Sequence, residues 1–301
     1  MSTLVDLKTY FLLGKYQSVV DLGPRLKLHN AAEEVERDLY FYRAFIEQGS
    51  YQIVLDEIQP DTSEPPLKAV RILAQLCIGD IDRSQVLEQL EAWLKDAQFL
   101  EDQMLLLMAS FVYFRLGNIQ KAFQCVRGNQ LLEARVFVIH ILLHIRRHDL
   151  ALKELQELQK SHRQALPVQL ATAWTYTVLG QFDQLDEAIR IYVQILEKYT
   201  DAFIAFYGIG LCRLRKKEYE QSETNLLLAL ERNPNSTETI INLIVLNRNL
   251  GKSEESHRYL SQLKKVDPRC SFLELGDKLA AQFDEASSSF KQTVSGHEKL
   301  A

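Results

Sequence analysis

Apolar residues recur along this chain at helical spacing, and no stretch sustains the two-residue alternation of a half-buried strand. The pattern is clearest from Phe203 to Cys270, where one arrangement is written twice, 34 residues apart. The first copy carries two apolar stripes, Phe203-Phe206-Ile209-Gly210 and Ser222-Leu226-Ala229-Leu230, joined by the polar turn Lys216-Lys217-Glu218. The second copy turns at Leu250-Gly251-Lys252. Laid over each other, Gly210 falls on Ile244, Ser222 on Ser256, Leu226 on Leu260 and Pro234 on Pro268.

A link this short forces its two helices to lie antiparallel and in contact. Gly210 and Ser222 lack bulk where the two would cross, and Pro234 and Pro268 end each unit because proline cannot continue a helix. One hairpin cannot bury both apolar faces, so neighbours must stack on it. A 34-residue period with small crossing residues and a closing proline is the tetratricopeptide pattern. The expected fold is therefore all-α: a tetratricopeptide-repeat solenoid, a right-handed superhelix of about eight hairpins with a C-terminal capping helix.

The turn signature recurs upstream at Gly14-Lys15-Tyr16, Gly49-Ser50-Tyr51 and Gly117-Asn118-Ile119. The spacing places a missing turn near Arg83, with Gly79-Asp80 and the Pro-rich 60–66 stretch as loops between hairpins. A fifth unit spans about Leu132 to Lys160, turning at Arg146-Arg147-His148 with Ala151 at its crossing. A sixth spans Pro167 to Thr200, with Ala188 at the crossing and a long turn from Gly180 to Leu185. The repeat array is assigned to residues 1–270, a capping helix to 271–290 and a flexible tail to 291–301.

Composition narrows the function classes. Acidic residues outnumber basic ones 40 to 35, and the only basic cluster, Arg213-x-Arg215-Lys216-Lys217, falls on a turn, so a nucleic-acid face is not expected. The N-terminus lacks the basic region and apolar core of a signal peptide, and the apolar run Met104–Phe114 is too short to span a bilayer. Cys77, Cys125, Cys212 and Cys270 have no paired spacing, as expected of reduced thiols in the cytosol. Asn235-Ser236-Thr237 has the form of a glycosylation acceptor, inert without a secretory route.

Candidate chemistry is sparse. His140, His144 and His148 recur every fourth residue, a spacing that could hold zinc or copper. No carboxylate completes the set, and His148 falls on a turn, so packed histidines are the expected reading and no metal or cofactor is assigned. The carboxylate pairs Glu33-Glu34 and Asp56-Glu57 fall on exposed positions, and no phosphate loop or nucleophile motif occurs, so an enzyme is not expected. Repeat arrays bind along the concave surface made by the first helix of each hairpin. Helical geometry puts Tyr207, Leu211, Ile241 and Val245 there, an apolar wall suited to a protein partner; packing within a tightly curved solenoid is the competing reading. A reversible adaptor for linear peptides is the alternative function.

The strings VERDLYFYRAF (Val35–Phe45), GSYQIVLDEI (Gly49–Ile58), QLATAW (Gln169–Trp174), TIINLIVLNRNLGK (Thr239–Lys252) and HRYLSQLK (His257–Lys264) stand out from a generic repeat. Together they resemble the epsilon subunit family of coatomer, the coat of Golgi transport vesicles. The likeness runs to near Phe283 and is loosest from Asp80 to Leu131. It implies a non-enzymatic coat subunit, cytoplasmic and peripheral on Golgi membranes. Its array would curl into a bracelet around the C-terminal domain of the alpha coatomer subunit, within the coatomer complex, in Golgi-to-endoplasmic-reticulum and intra-Golgi transport.

Overall fold

The computed structural model describes residues 3–79, 81–95, 100–268 and 270–298, without the side chains of 289 and 291–298. Among these residues it shows seventeen α-helices and no strand. In chain order the helices come in pairs joined by short turns, with one long helix left over, and the chain divides into two compact units, Met1–Glu218 and Tyr219–Ala301.

The first unit holds α1 (Leu4–Leu12), α2 (Tyr16–Leu22), α3 (Ala31–Glu47), α4 (Tyr51–Glu57), α5 (Pro65–Ile78), α6 (Arg83–Trp93) and α7 (Gln103–Arg115). It continues through α8 (Ile119–Val126), α9 (Leu132–His144), α10 (His148–His162), α11 (Leu166–Leu179), α12 (Phe182–Lys198) and α13 (Phe203–Arg215). Local chemistry starts these helices where it does. Thr3 and Asp6 form a capping box on α1, the Glu33 amide donates to Asn30 Oδ1 at 2.8 Å, and Asp102 accepts from the amides of Met104 and Leu105. Glu33, expected as a merely solvated carboxylate, thus belongs to the cap of α3, where it also accepts from the His29 amide at 2.9 Å.

The turn within each pair has one residue in the left-handed region: Gly14, Gly49, Gly79, Gly117, Arg146, Gly180, Lys217 and Gly251. Arg146 (φ 60°) and Lys217 (φ 64°) take the role without glycine, so these two turns are the strained ones. Two expectations are corrected here. Gly79 is itself the turn residue that ends α5, not part of a loop between hairpins. The sixth turn is only Gly180 and Gln181; Leu185 lies inside α12 and is fully buried, because α12 begins at Phe182.

Small residues sit where helices press together: Ala44, Ala74, Ala122, Ala151 and Ala188 are all fully buried. The largest core cluster joins α3 to α9 around Val70, Leu105, Met108 and Val112, and a second joins Ile139, Leu155 and Val168 from α9, α10 and α11. Each large side chain taken from water in these layers contributes about 1.5–3 kcal/mol before ordering costs. The apolar run of α7 is explained by burial on several sides, with Leu105, Leu107, Met108, Val112 and Tyr113 all at 2% exposure or less. No helix among the described residues is long and apolar enough to cross a membrane.

The second unit holds α14 (Tyr219–Arg232), α15 (Thr237–Asn249), α16 (Ser253–Val266) and α17 (Ser271–Glu298). Ser256 brings α16 against α15, its hydroxyl lying 3.5 Å from the Ile244 carbonyl and accepting from Arg248 Nε at 3.0 Å. Lys252 Nζ reaches both carboxylate oxygens of Glu223 at 2.8 Å and ties the α15–α16 turn to α14. Ser236 is buried and caps α15, accepting from the Thr239 amide, so the glycosylation-like triplet is a helix start. Helix α17 runs on past position 290 to Glu298.

Candidate partner-binding surface

The four residues placed on the concave wall meet different fates. Tyr207, in α13 of the first unit, is buried and stacks on Phe203 with ring centres 6.0 Å apart; Leu211, one turn on, is half-buried. In the second unit, Ile241 is half-buried and Val245, one turn further along α15, is exposed. Tyr207 is thus the most buried of the four and Val245 the most exposed.

At the start of α13 the first unit closes on itself. Leu13, at the end of α1, belongs to the same core cluster as Ala173, Leu185, Tyr192, Ala205 and Ile209. Helix α13 has Ala202 at its N-cap position and no side-chain cap there. The Ile204 amide instead donates to the Leu13 carbonyl at 3.4 Å, an orphan donor satisfied from the other end of the unit. Phe203 lies so close that a Cβ on Gly14 would come within 2.7 Å of its ring.

A second closure joins α3 to α9. Arg43 Nη2 donates to Glu133 Oε1 at 2.7 Å, and the Tyr40 hydroxyl donates to Glu133 Oε2 at 2.7 Å. The guanidinium lies over Phe11, Phe111 and Tyr40, 4.5, 4.9 and 5.3 Å from the ring centres. Burial pushes the Glu133 carboxyl up, but the Arg43 charge and the hydrogen bonds from Arg43 and Tyr40 outweigh it and hold the pKa below its ordinary value. Burial followed by the neighbouring Glu133 charge pushes the Tyr40 hydroxyl well above the usual tyrosine range.

Members of the histidine row and of the basic cluster are held in local contacts. His140 stacks on Phe137 at 5.8 Å and lies 5.2 Å from Phe114, which also meets His144 at 5.0 Å; His148 begins α10. Among the described residues no group of three His, Cys, Asp or Glu side chains could hold a metal ion. Burial, with a smaller contribution from the nearby His144, holds the His140 pKa below the ordinary histidine value. A lowered folded-state pKa means stability present above the unfolded value of about 6.5 and lost as pH falls from there towards the folded value. Urea unfolding is expected to show this loss as pH falls below about 6.5, and His140→Leu is expected to flatten the slope. An unchanged slope would mean that another group titrates.

The Arg215 guanidinium donates to the carbonyls of Thr177 and Val178 at the end of α11, and Lys216 pairs with Asp186 at 2.6 Å and Glu218 at 3.1 Å. Arg71 does the same for the carbonyls of Leu55 and Ile58 at the end of α4. Sequence reasoning passed over Arg71 and Arg43, since their partners lie 13 to 90 residues away.

Paired helices joined by left-handed turns, stacked through small buried residues, define a tetratricopeptide-repeat protein. The chain resembles a tetratricopeptide repeat protein from Parabacteroides merdae with a TM-score of 0.58, at 10% identity, over 86% of this chain and 96% of that one. It also resembles a chain of the Cut9-Hcn1 hetero-tetramer of the APC/C with a TM-score of 0.56, at 11% identity, over 89% of this chain and 53% of that chain. These likenesses concern the fold.

The family model described as the coatomer epsilon subunit matches residues 1–291, and the chain belongs to that family. It is 32% identical to coatomer subunit epsilon-1 of Oryza sativa subsp. japonica over 88% of this chain and 90% of the relative. It is 29% identical to coatomer subunit epsilon-1 of Arabidopsis thaliana over 95% and 97%, and 28% identical to coatomer subunit epsilon of Dictyostelium discoideum over 95% and 98%. The protein is thus a coatomer component, a non-catalytic structural subunit.

Proposed function

We propose that this subunit binds and stabilises the C-terminal domain of the alpha coatomer subunit, on Golgi membranes and coated vesicles, in retrograde and intra-Golgi transport. The observation that carries the reading is the apolar first-helix face of the eighth hairpin, where Ile241 is half-buried and Val245 exposed. In a repeat array the first helices form the binding surface. A solvent-facing valine there has no structural task in the free chain that the described contacts reveal. The contribution of Tyr207 is to shape this part of α13 from within, and Leu211 presents what is left of that turn to solvent.

Co-expression with the alpha subunit's C-terminal domain is expected to give a stable one-to-one complex by size exclusion with light scattering. Aspartate at this position would bring an unpaired carboxylate into an apolar contact, so Val245→Asp is expected to weaken the complex about tenfold or more. Because Val245 is exposed, the helical circular dichroism spectrum should not change. Separate peaks for the wild-type pair would overturn the proposal and favour the reversible adaptor, which predicts salt-sensitive capture of short peptides instead. A complex indifferent to Val245→Asp would move the contact off α15.

A further inference from the structure

We propose that α17 pairs antiparallel with α17 of a second copy of this chain. Along this helix Phe272, Leu275, Leu279, Phe283 and Phe290 share one narrow stripe and are 36, 57, 56, 73 and 70% exposed. A stripe this narrow is the seam for one partner helix, whereas an apolar face that packs on a core is wider. Its steps of three, four and four residues match an eleven-residue repeat, the period of a gentle right-handed supercoil.

The seam is self-complementary. In an antiparallel pair centred on position 281, Phe272 of one copy faces Phe290 of the other, and Leu279 faces Phe283. This is the reciprocal contact that two-fold symmetry requires. Lys278 and Glu285 lie together on the polar side of the helix, beyond one flank of the stripe. The other flank carries Gly276, Ala280 and Ser287, small enough for close approach, and Asp277 and Asp284 point away from the seam. With whole side chains on the order of 150–250 Å² each, the exposed parts amount to about 500 Å² per copy. A pair would bury about 1,000 Å², the lower edge of a specific interface, so the dimer should be weak and form at high local concentration.

Sedimentation velocity of the full chain from about 1 to 200 μM is expected to show a reversible monomer–dimer equilibrium. The variant Leu279→Gln with Phe283→Gln should abolish the dimer with circular dichroism and thermal midpoint unchanged, since glutamine is a good helix former. In a Cys77→Ser background, Gln282→Cys, near the two-fold axis, should give a disulfide-linked dimer on mild oxidation, whereas Lys278→Cys should not. A chain that stays monomeric throughout overturns the proposal, and so does a dimer that survives the double glutamine substitution. Equal cross-linking at 278 and 282 would mean parallel pairing and likewise overturn it. Flotation of an otherwise monomeric chain with neutral phosphatidylcholine vesicles would assign the stripe to a lipid surface instead.

Discussion

Replacing Arg43 by leucine is expected to lower the unfolding free energy by about 3–5 kcal/mol, the cost of stranding one member of a buried ion pair. The side chains of Arg43 and Glu133 are only 11% and 20% exposed, and the pair is the polar tie between α3 and α9. Without the guanidinium, Glu133 keeps one hydrogen bond, from Tyr40, and no adjacent cation except the more distant Lys8, which pairs with Glu36 at 2.5 Å. Its pKa would then rise, because burial would no longer be opposed. Removing all the polarity together should cost far less: Arg43→Leu with Glu133→Leu and Tyr40→Phe leaves no orphaned group, and such exchanges are often neutral or stabilising. Urea denaturation of the wild type, the single and the triple variant measures both numbers. A single-variant loss below about 1 kcal/mol would mean that water reaches Glu133. A triple variant as unstable as the single would mean that the cation–aromatic stack on Phe11 and Phe111, and not the ion pair, is the main contribution.

The same closure shows where sequence reading stops. Helix periodicity and turn residues are local properties, so the hairpins, the crossing alanines Ala151 and Ala188 and the turns at Gly14, Gly49, Gly117 and Gly251 could be read from the chain. The turn at Lys217 was also legible, although nothing in a lysine announces a positive φ; the 34-residue offset from Gly251 placed it. Closure is not local. The Leu13 carbonyl meets the Ile204 amide because the curvature of thirteen short helices adds up to bring them together, and no spacing encodes that sum. Tyr207 was placed on an open wall, but it is buried and stacks on Phe203, which the Gly14 turn covers. Helical geometry put Ile241 and Val245 on the same face of α15, where Ile241 is half-buried and Val245 exposed.

Substituting Gly208 by alanine is expected to destabilise the first unit by about 1–3 kcal/mol through overpacking, although alanine is the better helix former by about 1 kcal/mol. A Cβ at Gly208 would lie 2.3 Å from Cζ, 2.4 Å from Cε2 and 2.7 Å from Cε1 of Tyr192, whose ring rests flat on the α13 backbone. Tyr192 is only 2% exposed and is enclosed by the cluster that holds Leu13, Leu185, Ala188 and Ile209, so the ring has little room to withdraw. Gly276→Ala provides the opposite sign as a control: that glycine is also helical, nothing lies within 4 Å of its Cβ position, and the substitution should stabilise α17 by about 0.5–1 kcal/mol. Gly208→Ala combined with Tyr192→Leu should cost less than the two single changes added together, since the smaller side chain removes the clash that the methyl creates. Thermal and urea unfolding of the four chains tests this cycle. Strict additivity would show that the backbone of α13, and not the tyrosine ring, absorbs the added methyl. The pattern-matching glycine of the repeat is Gly210, two residues further on, and the ring contact at Gly208 belongs to the stacking of α12 on α13. The glycine that matters most here is thus set by the neighbouring hairpin, which is why the repeat alignment alone did not single it out.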